Sequence, residues 1–159
     1  MEESFKMIKI IEGNLFDSKA NILCHQCNCQ GVMGTGVAAE VKRRYPYVFN
    51  SYRKDYEDGK LKLGYVNFTT AKQDQVIANM CGQSVYGYDG KQYTNYDALQ
   101  ECLDRVLVFA LDEYDVKPTI AFPYLMSCHR GGADWNIVSK MIEDTFKDFD
   151  VEIWRLNNG

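Results

Sequence analysis

The chain has 159 residues, a formal net charge of −4, 46% hydrophobic and 25% charged residues, which suits one domain over residues 1–159 with a real core. That charge argues against non-specific nucleic-acid binding, which depends on Lys and Arg neutralising phosphates. No run is apolar enough to span a bilayer, and the opening MEESFKMIKI has acids where a signal peptide needs bases and a long apolar stretch.

These features predict a cytoplasmic protein. The six cysteines, Cys24, Cys27, Cys29, Cys81, Cys102 and Cys128, then read as reduced, mostly buried thiols rather than a disulfide set.

In chain order, Met7–Glu12 is a short β-rich run ended by Gly13-Asn14, and Asn21–Asn28 is a second strand. A glycine loop, Gly31 to Gly36, follows. Val37–Tyr45 has helical spacing, and its Lys42-Arg43-Arg44 reads as a solvated face. Pro46–Tyr56 is a further helix. Gly64–Thr70 and Gln75–Met80 form a strand pair across the polar break Lys72–Asp74. Ser84–Tyr93 is a glycine- and tyrosine-rich loop.

Thr94–Asp115 carries a long amphipathic helix, with Leu99, Cys102, Leu103, Val106, Leu107, Ala110 and Leu111 on one side. Thr119–Met126 is nearly all apolar, as for a strand covered on both faces. Asp134 is an N-cap for a helix through Phe146 whose stripe is Ile137, Met141, Ile142 and Phe146. Val151–Leu156 is the last strand. Alternating strands and helices predict a three-layer α/β/α domain with a mixed, mostly parallel central sheet. Ligands of such sheets bind beyond the carboxyl ends of the strands. Gly13–Phe16, Asn28–Gly36 and Ser127–Asp134 meet that description and are expected to converge on one cleft.

The stretch CHQCNCQGVMGTGVA from Cys24 contains two competing signals. Cys-x-x-Cys suggests metal or redox chemistry, but within a strand Cys24 and Cys27 point to opposite faces. No second ligand pair follows at metal-finger spacing, and a redox thiol belongs at a helix N-terminus, which comes only after the glycines. The glycines allow the backbone to approach a ligand closely and lead into a helix whose first amides can face a diphosphate. Their spacing is neither the dinucleotide fingerprint nor a P-loop, and a purely structural turn would explain them equally well.

The surrounding residues resemble a macro domain, the ADP-ribose-binding module. The resemblance rests on Gly13-Asn14-Leu15, HQCNCQGVMGTGVAAEVKRRYP, VIANMCGQ, YTNYDAL, FPYLMSCHRGGADW and VEIWRL, whose order is more specific than any one of them. In pattern it is similar to the branches containing ADP-ribose 1″-phosphate phosphatases and enzymes that cleave ADP-ribosyl esters. It implies that ADP-ribose or a derivative is the ligand, free or attached to a protein or a nucleic-acid end. No cofactor, metal or membrane is implied.

Carried over by position, the resemblance implies that Asn14 and Leu15 meet adenine, with Asn14 standing where the family usually has an acid; the plain reading of Asn14 is a turn residue. Asn28 matches the asparagine that contacts the distal ribose. Gly31, Val32, Gly34, Thr35, Gly36 and Val37 match the loop around that ribose and the diphosphate. Ser127, Cys128, His129, Arg130 and Gly131 match the second phosphate loop, where His129-Arg130 replaces the family's Gly-Leu. Arg130 could bind phosphate. His129 is either functional or an exposed accident. Asp134 reads as an N-cap and Trp135 as packing, while Tyr86, Tyr88 and Tyr93 border the pocket.

For chemistry, His25 is the acid/base candidate, with Asn28 and His129 beside it; a histidine precedes Cys-Asn in the phosphatase branch. A near-neutral pKa would let His25 transfer a proton. Strand alternation, however, puts it on the face opposite Asn28, and a satisfied core histidine is an equal reading. The lysine and aspartate of the ester-cleaving branch are replaced by Gln83 and Gly131, and the Gly-Gly-Gly-Val-Asp signature of another hydrolase branch is absent. A hydrolase and a non-catalytic reader both remain open.

Overall fold

The computed structural model describes residues 7–87, 89 and 91–156. Six strands form one sheet: β1 (Met7–Glu12), β2 (Ile22–Cys27), β3 (Val66–Thr70), β4 (Val76–Cys81), β5 (Ile120–Pro123) and β6 (Asp150–Arg155). Their order is β1-β6-β5-β2-β4-β3. β3 runs antiparallel to β4, and every other pair is parallel. The sheet is therefore mixed and mostly parallel, as the alternating pattern predicts.

Helices α1 (Gly36–Arg44), α2 (Pro46–Glu57), α3 (Tyr96–Glu113) and α4 (Trp135–Thr145) complete the three layers. β2 shows how the layers are specified. Ile22 and Cys24 join the core with Leu99, Leu103, Val138 and Phe146 from α3 and the α4 region. Leu23 and Cys27 turn the other way, against Val41, Val48 and Tyr52 of α1 and α2. The period of two thus sends alternate residues into two cores, and each large side chain removed from water contributes about 1.5–3 kcal/mol.

Two stripes need correction. Leu111 is 56% exposed, at the margin of a face whose buried residues are Leu99, Cys102, Leu103, Val106 and Ala110. On α4 the buried residues are Val138 and Ile142, while Ile137 is 44% exposed. Asp134 does cap α4, accepting from Asn136 N at 2.8 Å, but the helix phase that follows turns Val138 inward. Among the described residues no helix is long and apolar enough to cross a membrane.

Candidate functional site

The neighbouring central strands β2 and β5 are parallel, and the segments leaving their carboxyl ends line a cleft of about 380 Å³. One wall is Asn28, Val32 and Gly34 to Ala38, entering α1; the other is Leu125 to Ser127 and His129 to Gly131, after β5. The two predicted loops therefore face each other. Thr35 makes no side-chain cap, and the first amides of a helix have no partner within it. Gly36, Val37 and Ala38 bring those amides to the cleft. Opposite, Leu125 and Ser127 hold φ of 61° and 74°, a left-handed conformation that costs non-glycine residues energy and gathers at functional turns. Among the described residues the lining includes Arg130 and two histidines but no Asp or Glu. A chain of net charge −4 thus keeps carboxylates out of this site, which suits an anionic ligand.

Gln26, which the sequence reading passed over, ties the second loop to the sheet. Its Nε2 donates to Gln83 Oε1 at 2.7 Å and to Thr94 Oγ1 at 2.8 Å. Its Oε1 accepts from Ser127 Oγ at 2.7 Å. Gln83 is held again through Nε2 to the Val85 carbonyl at 2.7 Å. A polar residue following His25 in a mostly apolar strand was the available signal; its partners lie too far along the chain to be read.

His25 is 1% exposed, yet it is part of the cleft lining. Its Nε2 lies 2.5 Å from Asn79 Oδ1. Burial pushes its pKa down to about 4, against the smaller upward effect of Asn79, so the near-neutral value expected from the sequence is not met. Asn28 Oδ1 accepts from the Tyr52 hydroxyl at 3.0 Å, and its Nδ2 donates to the Val32 carbonyl at 3.0 Å. His25 and Asn28 both face the α2 side of the sheet, contrary to the alternation argument. β2 ends at Cys27, so Asn28 is free of the strand's period.

A Macro domain family model matches residues 24–142. This chain belongs to the macro domain family. It is 40% identical over 160 residues to the DNA ADP-ribosyl glycohydrolase of Mycobacterium tuberculosis, a match covering 96% of this chain and 43% of that protein. It is 42% identical over 55 residues to the ADP-ribose 1″-phosphate phosphatase of Aspergillus clavatus, covering 34% of this chain and 28% of that one. The solved macrodomain of Mycobacterium tuberculosis DarG superposes with a TM-score of 0.80 at 25% identity, over 94% of this chain and 97% of that chain. The chain spans less than half the length of the DNA ADP-ribosyl glycohydrolases it matches, 40% and 43%.

Several expected residues of this macro domain stand away from the cleft lining. Asn14 Oδ1 accepts from Phe16 N at 2.9 Å, capping a one-turn 3-10 helix, which is its turn-residue reading. Leu15 is buried beside Phe16 in the α1–α2 core. Among the described residues the cleft lining takes none from the Gly13–Phe16 turn, whose Leu15 and Phe16 pack with Cys27 and with Met33 of the glycine loop. Gly31 has φ of 74°, and a Cβ there would meet the Tyr56 ring at 2.8 Å; it serves the turn. Cys128 packs against the α3–α4 core, and burial pushes its thiol up to about 11.

His129 and Arg130 are exposed at the rim. Trp135 packs edge-on against Tyr124, ring centroids 5.3 Å apart. Tyr86 lines the cleft, Tyr93 instead donates to Asp89 Oδ1 at 2.7 Å, and Tyr88 lies outside the described residues. Cys24 and Cys27 reach opposite cores, as the strand pattern predicts.

Proposed function

We propose that this macro domain is a cytoplasmic protein that binds ADP-ribose and hydrolyses a group from its distal ribose. The observation that carries the reading is a cleft that has no carboxylate among its described lining residues, walled on one side by the start of α1 and on the other by the Ser127–Gly131 loop. A diphosphate between them would meet backbone donors from the first wall and Arg130 from the second. Asn28, pinned by Tyr52 and Val32, is the side chain placed to orient the ribose, and His25 and His129 are the groups able to exchange a proton with it.

The Mycobacterium tuberculosis relative's name supports ADP-ribosylated DNA as one substrate class. The basic run does not extend that to gripping the DNA backbone: Arg43 and Arg44 pair with Glu40 at 2.8 Å, Lys42 lies over Phe49 and Arg44 over Phe16. Recognition would then centre on the ADP-ribose end.

A reader without chemistry is the second reading, favoured by the same lack of a carboxylate to activate water and by Gln83, an amide fixed by two hydrogen bonds. One experiment separates them. The protein is titrated calorimetrically with ADP-ribose, then incubated with ADP-ribose 1″-phosphate, an ADP-ribosyl ester and ADP-ribosylated DNA, and each product is followed. Heat with product supports the hydrolase; heat without any product over hours leaves the reader. No heat at millimolar ADP-ribose ends both.

A further inference from the structure

Behind the cleft, buried polar side chains cross from α2 to β2, and hydrogen-bond accounting gives the line a direction. It starts at Asp55 on α2, whose carboxylate accepts from Asn67 Nδ2 at 2.7 Å and from the Tyr65 hydroxyl at 2.7 Å. A carboxylate offers acceptors only, so Asn67 must present its N–H groups to Asp55 and turn its Oδ1 away. That Oδ1 accepts from Asn79 Nδ2 at 2.9 Å. Asn79 Oδ1 is then the atom left to meet His25 Nε2 at 2.5 Å. An amide oxygen cannot donate, so the proton of the neutral imidazole sits on Nε2, and Nδ1 keeps its lone pair.

The line is shielded from water: Asn79, His25 and Asn67 are 0%, 1% and 4% exposed. Reversing Asn79 would set its oxygen against Asn67 Oδ1, and reversing Asn67 would set its oxygen against the Asp55 carboxylate, acceptor against acceptor in either case. The Cys27 thiol lies beside the ring, 3.8 Å from Nδ1 and 3.7 Å from Nε2, and is a weak partner to either.

We propose that Asp55, acting through Asn67 and Asn79, holds His25 as the Nε2–H tautomer, so that the cleft is offered an acceptor which selects a hydroxyl or water over a phosphate oxygen. The tautomer stands on the free protein; the selection rests on the ADP-ribose reading above. Asp55, Asn67 and Asn79 are positioning residues. In this arrangement Nδ1 can accept a hydrogen bond from water or a ribose hydroxyl, while the Nε2–H donates to Asn79 Oδ1. It cannot donate to a phosphate.

Nitrogen-15 imidazole spectroscopy reads this directly, because the chain has two histidines and His129→Gln assigns the other ring. At pH 7 the His25 ring is expected as one species, Nε2 protonated and Nδ1 bare; a protonated Nδ1 would overturn the proposal. Asp55→Asn keeps the shape but can also donate, so a second tautomer of about a tenth or more is expected, the level reached once the gap falls below 1.4 kcal/mol. A spectrum unchanged by Asp55→Asn removes Asp55 as the source of the polarity. Should that variant fail to fold, the wild-type spectrum still decides the tautomer.

Adding ADP-ribose is expected to move the Nδ1 resonance and leave Nε2 in place. Calorimetric binding with Nδ1 unmoved would refute the selection and spare the tautomer. No calorimetric binding at all would sink the ADP-ribose reading and the selection, while the free-protein spectrum stands apart.

Discussion

The Ser127 hydroxyl donates to Gln26 Oε1 at 2.7 Å, joining a loop residue with φ of 74° to a strand residue 101 positions earlier. The second wall of the cleft is held in a costly backbone conformation by Gln26, together with Thr94 Oγ1 and Ala133 N, which donate to the Ser127 carbonyl. Gln26→Ala strips this bond and those to Gln83 and Thr94. The loss is expected to reach about 2–3 kcal/mol, from three bonds near 1 kcal/mol each. Urea unfolding measures that, and calorimetry should show ADP-ribose affinity falling by about tenfold or more as the loop relaxes. Unchanged affinity would mean the loop keeps its shape without Gln26.

Two glycines of the cleft separate space from contact. A Cβ at Gly131 would run into Thr94 Oγ1 and the Ser127 carbonyl oxygen, and would lie 3.0 Å from Gln26 Nε2. Gly131→Ala must therefore displace the loop and is expected to abolish ligand heat. At Gly34 the nearest atom is Val32 Cγ1 at 3.6 Å, an ordinary contact. Gly34→Ala should leave the melting temperature within a few degrees, a change of about 0.5 kcal/mol or less, and weaken only binding. Equal losses of melting temperature in the two variants would contradict this reading of the site.

These contrasts also mark where sequence reading stopped. The alternation of β2 was legible, since Cys24 and Cys27 reach different cores. The order of short motifs located both loops of the cleft. The phase of α4 was not legible, because Ile137 and Met141 make as good an apolar stripe as Val138 and Ile142. The Leu125–Ser127 turn contains no glycine to announce its positive φ. The Gln26 hub joins residues 26, 83, 94 and 127, a relation of tertiary structure that local periodicity does not contain. Asn14 shows the converse: the general turn-residue reading describes its hydrogen bond, whereas the position carried over from the family does not bring it to the cleft lining.

Burial of His25 makes stability depend on acidity. Its pKa falls to about 4 in the fold, against about 6.5 in the unfolded chain. Between those values the unfolded state binds the extra proton, so stability rises with pH. The contribution is complete above about 6.5 and is lost as pH falls through about 4. A difference of this size corresponds to about 3 kcal/mol. Urea unfolding at pH 4 and pH 7 should show this decline in wild type, beyond whatever the carboxylates add to both proteins. His25→Gln should lack it. Parallel profiles for the two proteins would mean that His25 is protonated within the fold or reaches water.

Asn28 is held in place by a buried tyrosine of α2. Tyr52 is fully buried, and its hydroxyl reaches the Asn28 carbonyl at 2.7 Å and Oδ1 at 3.0 Å. Asn28 Oδ1 also accepts from Gln30 N at 2.9 Å, so the side chain organises the first turn of the loop as well as facing the cleft. Asn28→Ala removes both functions, and any turnover of an ADP-ribose derivative should slow by well over tenfold, about 1.4 kcal/mol or more of barrier. Tyr52→Phe keeps the Asn28 amide but frees it, at a stability cost of about 1 kcal/mol. If Asn28 contacts the ribose, Tyr52→Phe should cost a few-fold in affinity and less than Asn28→Ala. Should Tyr52→Phe do as much damage as Asn28→Ala, the loop's shape rather than the Asn28 amide is what the ligand reads.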